Sequence, residues 1–550
     1  MGRAFSTSYL AGEPAARALL PRDFRQPAER IAIARRAAGR RIDPALIEVL
    51  REQQARLPPS AARDRNLDAL AAGETAVVVS GQQVGLFLGP LYTFYKAASA
   101  VAVARAIAAE SGVRTVPLFW LQTEDHDFAE IACCTTAGAA GAPVRLALAD
   151  EPEAASRVSV AHRHLGAEVS GLLDTLAEHL GAAPAAREVL ALLRAHYLPG
   201  RPLAAAFAGA LAEIFADEGL LFLDPRDARV ATLAAPIYRR AITEAAEIDR
   251  RLLTQAERLR AAGFIQQVAV RPGSPLIFFH PQGPDGPRHR LQLMAEGDPG
   301  FPGWRLLGRE RDQRDQIVGR DALLGALEAE PLRFSTSALL RPIVQDTLLP
   351  TVAYVGGPAE VSYFAELEPL YTHFDVPPPL VVPRARFRCV EAPARRWLAA
   401  LGLQPDDLAQ PLATLLGRVV TAPAGVPDPQ ALRRRVAEEI APVVDQITAA
   451  IAAADPALAR AAQRTKASVD HALSRLTRRY GQGLGARDAV ARGRLERAQA
   501  ALFPGGVPQE RVLGWPTLAA RLGPATFKRL VFEKLATAGA FTTVPQELRP

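Results

Sequence analysis

Residues 81–96 form the first of three short segments whose side chains could do chemistry. Gly81, Gly85 and Gly89 recur at four-residue spacing, and the segment ends at Lys96. Glycines let backbone N–H groups approach a ligand closely, and the N-terminus of a following helix favours an anion. The pattern predicts either a tight turn or a cradle for a phosphate or carboxylate. It matches neither a Walker A loop nor a dinucleotide-binding fingerprint.

Lys96 is unusual in this chain, because it is the only lysine before Lys466 and arginine supplies nearly all the other positive charge. An ammonium is a compact, rotatable point charge, whereas a guanidinium is a planar fork. We expect Lys96 to neutralise a phosphate or a carboxylate. The segment also offers polar side chains for binding a nucleotide or substrate: Gln82, Gln83 and Tyr92.

The second segment, Glu124-Asp125-His126-Asp127, places three carboxylates around one imidazole. Like charges this close push their pKa values apart, which suits acid–base catalysis. We expect His126, with Asp125 or Asp127, to accept a proton near neutral pH. The carboxylates, including Glu124, could instead hold Mg²⁺ beside a nucleotide. A solvated loop in which an aspartate caps a helix is the alternative.

The third segment combines an arginine with a second glycine turn. Arg341 could clamp a carboxylate with its guanidinium fork, or form a structural salt bridge. Glu360 could bind an ammonium group or ribose hydroxyls. The candidate binding residues of this segment are Arg341, Gln345, Asp346, Gly356, Gly357, Glu360 and Tyr363.

The elements that flank these segments predict an α/β fold with a parallel sheet. Ala76 to Val79 and Thr115 to Leu121 are apolar runs typical of buried strands, and Ala97 to Ala109 between them favours a helix. Thr351 to Val355 and a helix from Val361 repeat the strand–turn–helix pattern. Ligands of such sheets bind beyond the carboxyl ends of the strands, so we expect the three segments to meet at one edge.

The remaining chain divides into four predicted regions. Residues 1–145 and 331–400 form the two parts of the sheet core, and residues 146–330 form a mainly helical insertion. Within the insertion, Gln266 to Val270 and Leu276 to Phe279 predict a strand pair around Pro272-Gly273. Residues 401–550 read as helical throughout.

An antiparallel coiled-coil hairpin is predicted within residues 401–550, with a turn at Asp455-Pro456. A narrow apolar seam at three- and four-residue steps runs along each of its helices. Such a seam can also pair with a second copy, which predicts a homodimer. A plain helical bundle is the alternative. The seam residues are Leu432, Val436, Ile440, Val443, Ile447 and Ile451, then Val469, Leu473, Leu476 and Tyr480.

Composition excludes several classes of partner. The 550-residue chain carries a formal net charge of only +7, scattered over its length, which does not predict nucleic-acid binding. No apolar run reaches the ~18 residues of a membrane span, and the N-terminus has no signal-peptide pattern. Three cysteines without a C-x-x-C motif fit a reducing compartment. We therefore predict a cytoplasmic protein with no membrane partner.

Three motifs resemble those of the bacillithiol biosynthesis cysteine-adding enzyme family. They are Gly81–Lys96, read as GQQxGLFxGPLYTxxK; Phe119-Trp120 followed by Glu124 to Phe128; and Leu340-Arg341-Pro342 with Gln345 to Thr351 and Tyr354 to Pro358. The similarity spans nearly the whole chain and departs most in the Ala/Arg-rich C-terminal third. Ser80 stands where the family pattern has threonine, which keeps the hydroxyl.

The resemblance implies a Rossmann-like core, an inserted connecting region and a coiled coil that mediates dimerisation. It implies addition of L-cysteine to glucosaminyl-malate, the last step in making bacillithiol. The cysteine carboxylate must be activated, which we expect ATP to do, with Mg²⁺ as a candidate companion. In this hypothesis the Gly81–Gly89 loop and Lys96 hold phosphates, Arg341 orients a carboxylate, His126 with Asp125 or Asp127 takes the amine proton, and Glu360 holds the cysteine ammonium.

Two other functions fit the same residues. One is a nucleotidyltransferase that forms an adenylate of a different acid. The other is a non-catalytic nucleotide-binding scaffold that works through its coiled coil.

Overall fold

The computed structural model describes residues 2–138, 141–149, 157–294, 303–307, 316–424, 429–485 and 489–550. The chain forms two compact units. The first comprises residues 1–136, 145–387 and 513–546, and the second comprises residues 137–144, 388–512 and 547–550. Residues 513–546, which the sequence grouped with the helical C-terminal region, thus lie in the first unit.

A five-stranded parallel sheet forms the centre of the first unit. Its strands are β1 (Thr75–Gln82), β2 (Arg114–Leu121), β3 (Leu221–Leu223), β4 (Thr351–Gly356) and β5 (Leu380–Pro383). The spatial order is β5-β4-β1-β2-β3, with every neighbouring pair parallel. Residues 76–79 of β1 are fully buried, because helices cover both faces of such a sheet. The predicted α/β fold class is confirmed.

Three helices connect or follow these strands at the site. They are α1 (Leu91–Ser111), α2 (Arg341–Leu348) and α3 (Pro358–Phe374). The other helices of the first unit are Phe5–Leu10, Pro14–Leu19, Pro27–Ala38, Pro44–Ala55, Ala61–Ala72, Phe128–Ile131, Glu168–Leu180, Pro184–His196, Leu203–Ile214, Ala228–Thr243, Ala245–Ala261, Arg320–Ala329, Trp515–Leu522 and Pro524–Ala538.

Two of the predicted helix boundaries were wrong. Helix α1 begins at Leu91 rather than Ala97, so Lys96 lies within the helix and not in the loop before it. Pro90 stands immediately before its first residue, and a proline there is no obstacle because the first turn leaves its N–H groups without helical partners. Helix α3 begins at Pro358 rather than Val361 for the same reason.

The inserted region contains an antiparallel sheet that the sequence reading largely missed. Its strands, in spatial order, are Phe334–Thr336, Ile277–Phe279, His289–Leu293, Gly303–Leu307 and Ile317–Gly319. The predicted pairing of Gln266 to Val270 with Leu276 to Phe279 was wrong, because residues 266–270 form no strand. Their backbone is held instead by Glu366, whose carboxylate accepts hydrogen bonds from the N–H groups of Gln267 and Val268.

The second unit is helical. Its helices are Ala392–Leu401, Leu412–Ala424, Pro429–Arg435, a π-helical turn Val436–Ile440, Ala441–Ala454, Ala459–Gly485, Ala489–Leu502 and Gln509–Val512. Ala441–Ala454 packs against Ala459–Gly485 as an antiparallel hairpin, and Leu412–Ala424 also packs on the long helix. Four short strands complete the described chain: Cys133–Ala137, Pro143–Ala147, Phe387–Cys389 and Gln546–Leu548.

Part of the predicted seam lies on the outside of this hairpin. Ile440, Val443, Ile447 and Ile451 keep 40%, 52%, 56% and 43% of their surface exposed. In the described part of the chain, no helix is both long enough and apolar enough to cross a membrane.

Candidate active site

The three segments meet at one edge of the parallel sheet, as the sequence pattern predicts. Gln82, at the end of β1, pairs in register with Leu121 at the end of β2. On the other side of β1, Ser80 pairs with Val355 of β4, one residue before that strand ends. The turns that follow the three strands therefore open on the same side, where a parallel sheet places its ligands.

Lys96 is the centre of the first cluster of polar groups, which we call the lysine cluster (Lys96, Arg341, Glu360, Tyr363 and Arg384). The Lys96 side chain is buried, and its Nζ donates to the Gly81 carbonyl oxygen and to Gln82 Oε1, each at 2.8 Å. It also forms an ion pair of 2.5 Å with Glu360 Oε2. Burial lowers the pKa of Lys96, and the Glu360 charge opposes that shift.

Glu360 is a fixed counter-ion rather than an open acceptor. Besides Lys96, its carboxylate accepts from the Tyr354 hydroxyl and, at 2.7 Å, from the Gly357 N–H at the start of α3. Burial disfavours its ionisation, but the Lys96 charge and the hydrogen bonds from Lys96, Tyr354 and the Gly357 N–H together outweigh burial and hold the pKa of Glu360 below its usual range. The expected role of Glu360 in holding a substrate ammonium is not favoured, because Lys96 already occupies that position.

Arg341 stands at the first residue of α2, beside the same carboxylate. Its Nη2 donates to the Tyr363 hydroxyl at 2.9 Å and its Nη1 to Gln345 Oε1 at 2.7 Å. Its guanidinium also lies over the Tyr354 ring, 5.1 Å from the centroid. Among the residues that the structure describes, no carboxylate forms a salt bridge with Arg341, whose partners are aromatic and amide groups. The structural salt-bridge alternative therefore does not describe this residue.

A surplus of positive charge results at this edge. Two buried cations of the lysine cluster, Lys96 and Arg341, share the carboxylate of Glu360. Arg384 lies over the Tyr92 ring at 5.6 Å. Such a surplus in a buried setting favours an anionic ligand, because isolated like charges are costly away from water.

Gln345 and Asp346 support Arg341 from behind. Both side chains are fully buried, so they offer no surface to a ligand, and the prediction that they bind substrate is not favoured. Gln345 Nε2 donates to Asp346 Oδ1 at 2.8 Å, and the Tyr371 hydroxyl donates to Asp346 Oδ2 at 2.6 Å. Burial raises the pKa of Asp346. The chain of bonds orients the Gln345 amide oxygen towards Arg341.

The loop between β1 and α1 is less open than a phosphate cradle requires. Four of its N–H groups already have acceptors within the protein: those of Gly85, Leu88, Gly89 and Leu91 donate to Gln83 O, Tyr197 Oη, Leu86 O and Leu513 O. Residues 86–88 are buried and apolar. The part of the loop after Gln83 therefore packs against the protein core instead of forming a cradle for a phosphate, and a hydrogen bond to Tyr197 holds it in place.

Gly81 and Gly89 are each required as glycine, for different structural reasons. A Cβ on Gly81 would stand 2.7 Å from the Trp120 carbonyl oxygen, so β1 and β2 could not approach as they do. Gly89 has a φ of +62°, and it follows Phe87 and Leu88 with φ of +48° and +72°. Consecutive non-glycine residues in the left-handed region carry backbone strain, which the two hydrogen bonds of Tyr197 to Leu88 and Gly85 hold in place.

The second cluster, the histidine cluster (Asp125, His126 and Arg288), follows β2. Arg288 comes from the inserted region, immediately before the strand His289–Leu293 of its antiparallel sheet. Its Nη2 donates to Asp125 Oδ1 at 2.7 Å and its Nε to His126 Nδ1 at 2.9 Å. Burial opposes ionisation of Asp125, but hydrogen bonding from His126 and the Arg288 charge outweigh it and lower the pKa of Asp125 to about 2.

The other two carboxylates of the segment differ from Asp125. Glu124 is buried and accepts from the Thr336 hydroxyl, and burial raises its pKa. Asp127 is exposed and accepts from the Glu130 N–H as the cap of the helix Phe128–Ile131. For Asp127 the alternative of a capping residue in a solvated loop is therefore the better description.

Gln82 and Gln83 join the two clusters. Gln82 Oε1 accepts from Lys96, whereas Gln83 Nε2 donates to Asp125 Oδ2 at 2.7 Å. Gln82 is the last residue of β1 and Gln83 is the first residue after it, so the point where the strand ends supplies one glutamine to each cluster. The Gln83 Oε1 atom is buried without a hydrogen-bond partner.

The site does not resemble a resident metal centre. Over the described ranges, no three His, Cys, Asp or Glu side chains converge as metal ligands. Asp125 is committed to Arg288 and Glu124 to Thr336. A magnesium ion held by protein carboxylates alone does not fit these residues.

Comparison with known families is decisive for the chain as a whole. Residues 2–385 match the model for the bacillithiol biosynthesis BshC N-terminal Rossmann-like domain, and residues 387–545 match that for the BshC C-terminal coiled-coil domain. The chain belongs to the bacillithiol biosynthesis BshC family. Both parts of the predicted architecture, the Rossmann-like core and the coiled coil, are thereby confirmed.

Curated relatives agree over most of the chain. A protein of Salinibacter ruber is 31% identical over 497 residues, covering 90% of this chain and 87% of its own. Relatives from Koribacter versatilis and Symbiobacterium thermophilum are 33% and 32% identical, covering 87% and 85% of this chain and 84% and 83% of their own. All three carry the name "Putative cysteine ligase BshC". The prediction of an enzyme of the ligase class is confirmed at this level.

Arg288 and Arg384 are the charged residues of the site that the sequence reading missed. Arg288 lies 162 positions from His126, in a chain where arginines are scattered throughout. Arg384 directly follows β5, and a strand-end position beside β4 is the signal that points to it.

Proposed function

We propose that this protein joins L-cysteine to glucosaminyl-malate in the last step of bacillithiol biosynthesis, using ATP to activate the cysteine carboxylate. Family membership and the name shared by the relatives support the reaction class. The observation that carries the ATP part is the surplus of buried positive charge at the carboxyl edge of the sheet.

The chemistry requires an activated acid. A carboxylate is a poor acylating agent, and transfer of a phosphoryl or adenylyl group from ATP turns one of its oxygens into part of a leaving group. The amine of glucosaminyl-malate then attacks the carbonyl carbon, the C–N bond forms, and the C–O bond to phosphorus breaks. Negative charge accumulates on oxygen in both steps, which buried cations stabilise.

The lysine cluster is the proposed anion site. Lys96 neutralises phosphate charge through its electric field and not through a hydrogen bond, because its three N–H groups already serve Gly81, Gln82 and Glu360. Arg341 orients a carboxylate of cysteine or of the malate moiety. The backbone of these turns adds little, because the N–H groups of Gly85, Gly89 and Leu91 already donate within the protein and that of Gly357 donates to Glu360. Mg²⁺ would enter bound to ATP rather than as a resident ion.

The histidine cluster is the proposed acceptor end. Asp125 and His126 lie beyond β2, across Gln82 and Gln83 from Lys96. A third of each side chain remains exposed, so a sugar amine can reach them. In the mechanism expected from the sequence, His126 takes the proton of the attacking amine. Asp127 caps a helix beside them and contributes negative charge.

Reconstitution with purified protein tests this function. The assay supplies L-cysteine, glucosaminyl-malate and Mg-ATP, and mass spectrometry follows bacillithiol together with AMP or ADP. We expect one nucleotide cleaved for each thiol formed. Product without ATP would overturn the phosphate role of the lysine cluster. Pyrophosphate release with a different acid, and none with cysteine, would overturn the substrate assignment.

A homodimer and a cytoplasmic location complete the proposal. The exposed row Ile440, Val443, Ile447 and Ile451 supports a dimer, because a second copy would cover it. Light scattering should report twice the chain mass for wild type and a monomer for Ile447→Glu, with Glu438→Gln in the preceding π-helical turn as control. Cys133, Cys134 and Cys389 form no disulfide in the described part of the chain, which fits a reducing compartment.

A further inference from the structure

Arg288 makes an unusual set of contacts for a residue outside the three motifs. Its guanidinium donates to three acceptors of the segment after β2: Asp125 Oδ1, His126 Nδ1 and the Glu124 carbonyl oxygen. The same group stacks on the Phe278 ring at 3.9 Å from the centroid. Only 6% of the side chain is exposed. The rigid, planar guanidinium group of Arg288 thus holds the loop that carries His126 in place.

This geometry determines which ring nitrogen of a neutral His126 carries the proton. Burial lowers the pKa of Arg288 to about 10, which leaves the guanidinium charged at neutral pH. A guanidinium nitrogen is always a donor and never an acceptor. The bond from Arg288 Nε at 2.9 Å therefore needs a lone pair on His126 Nδ1. In a neutral imidazole the proton must then sit on Nε2, the other ring nitrogen.

Asp125 does not reverse this assignment. Its Oδ1 lies 3.2 Å from His126 Nδ1, longer than its bonds to the His126 N–H and to Arg288, both 2.7 Å. A proton on Nδ1 would have to face the Arg288 Nε–H directly. The arrangement is the reverse of a catalytic triad, where a carboxylate accepts from Nδ1–H and leaves Nε2 free to take a proton.

We propose that Arg288 is a positioning residue that fixes His126 with its proton on Nε2, so that His126 donates a hydrogen bond to an oxygen of the reacting acyl group instead of accepting the amine proton. This inference rests on the proposed function and changes the role of His126 within it. When the amine attacks, the acyl oxygen gains negative charge that Nε2–H stabilises. The amine proton leaves with the departing phosphate group, whose oxygens are anionic.

The tautomer can be observed without any enzymatic turnover. In protein labelled with ¹⁵N-histidine, proton–nitrogen correlation spectra separate a protonated ring nitrogen from one with a lone pair, and His126→Gln identifies the His126 signals among the nine histidines. We expect Nε2 protonated and Nδ1 bare in wild type at neutral pH, and a mixture of tautomers in Arg288→Lys. A protonated Nδ1 in wild type would overturn the proposal.

Kinetics then distinguish a donor from a base. The Gln side chain places an N–H₂ donor near the Nε2 position, whereas Asn places its donor near Nδ1 and neither can take a proton. We expect His126→Gln to keep about tenfold or more activity over His126→Asn. Equal losses in the two variants would restore the base role. An inactive wild type in the full assay would instead reject the proposed function and leave the spectroscopic result standing.

Arg290 supplies the matched control. It lies two residues further along the chain, on the strand His289–Leu293, and over the same Phe278 ring, at 5.1 Å, but it is exposed. We expect Arg288→Lys to lower kcat by about tenfold, in line with the loss of a charged hydrogen bond, and Arg290→Lys to leave it near wild type. Equal kcat values in the two variants would contradict the positioning role.

Discussion

The lysine and histidine clusters lie side by side at one sheet edge and solve opposite problems. The lysine cluster is built from the parallel sheet and its own helices, and its charges are almost fully buried. The histidine cluster keeps a third of Asp125 and His126 exposed and takes its cation from the inserted region. A permanent, dry charge array suits holding phosphates, whereas a partly solvated cluster suits a step in which a sugar amine must enter and leave.

The contrast also shows how each cluster is compensated. Lys96 and Glu360 depend on each other, because either one alone would be an uncompensated buried charge. Asp125 has several weaker supports, from Gln83, Arg288 and the His126 N–H. Disturbing a single partner should therefore cost far more in the first cluster than in the second.

Lys96→Met gives the largest expected effect. The substitution leaves Glu360 buried without its cation, which should lower the free energy of unfolding by about 3–5 kcal/mol and abolish nucleotide binding. Denaturant titration measures the stability, and calorimetry measures ATP affinity.

The double variant Lys96→Met/Glu360→Gln is the control for this effect. Removing both charges should restore part of the stability but not the nucleotide affinity. A Lys96→Met protein with wild-type stability would show that the pair is not the buried unit described here, and wild-type ATP affinity would remove Lys96 from the phosphate site.

Replacing the amide of Gln82 or Gln83 by a carboxylate should have a different effect on stability in each cluster, and both effects should be smaller than that of Lys96→Met. Gln83→Glu replaces a donor facing Asp125 Oδ2 with a second negative charge, and we expect a loss of about 1–3 kcal/mol. Gln82→Glu would face the Lys96 cation at 2.8 Å, and the carboxylate it would oppose, Glu130, is exposed, so this substitution should cost less. Thermal unfolding of the two isosteric variants gives the comparison, and equal losses would contradict the division of β1 between the clusters.

Asp125→Asn should reveal how much the ionised Asp125 carboxylate contributes to stability, because that contribution is lost at acid pH. The pKa of Asp125 falls from 3.8 to about 2 in the folded protein, so the ionised group adds stability above the unfolded value. That advantage of wild type over Asp125→Asn should be present above pH 4 and disappear as the pH falls to about 2. Urea titrations across this window test it, with Asp127→Asn, which keeps a capping side chain, as control. A constant difference would rule out this ion pair.

Tyr197→Phe should give the smallest effect, because it belongs to neither cluster. It removes the acceptor for Leu88 N–H and the donor to the Gly85 carbonyl oxygen, at a cost of about 1 kcal/mol. We expect faster proteolysis within residues 85–89 and unchanged spectra for the His126 ring. A change at His126 would mean that the loop and the histidine cluster are coupled.

The sequence predicted that the three motifs meet at one sheet edge, but it did not predict which side chains contact each other there. Apolar runs before Ser80 and after Arg114 marked β1 and β2, and parallel topology then placed the three motifs together. The pairing of Lys96 with Glu360 did not follow, because it depends on α1 beginning five residues before Lys96. The contact of Arg288 with His126 crosses an insertion, and spacing along the chain carries no information about such a contact.

The adjacent glutamines at the end of β1 restrict how this fold can vary. Lengthening or shortening β1 by one residue would turn the Gln82 side chain to the opposite face of the sheet, away from Lys96, and would displace Gln83 from Asp125. We therefore expect the length of this strand to be invariant among relatives that keep both glutamines.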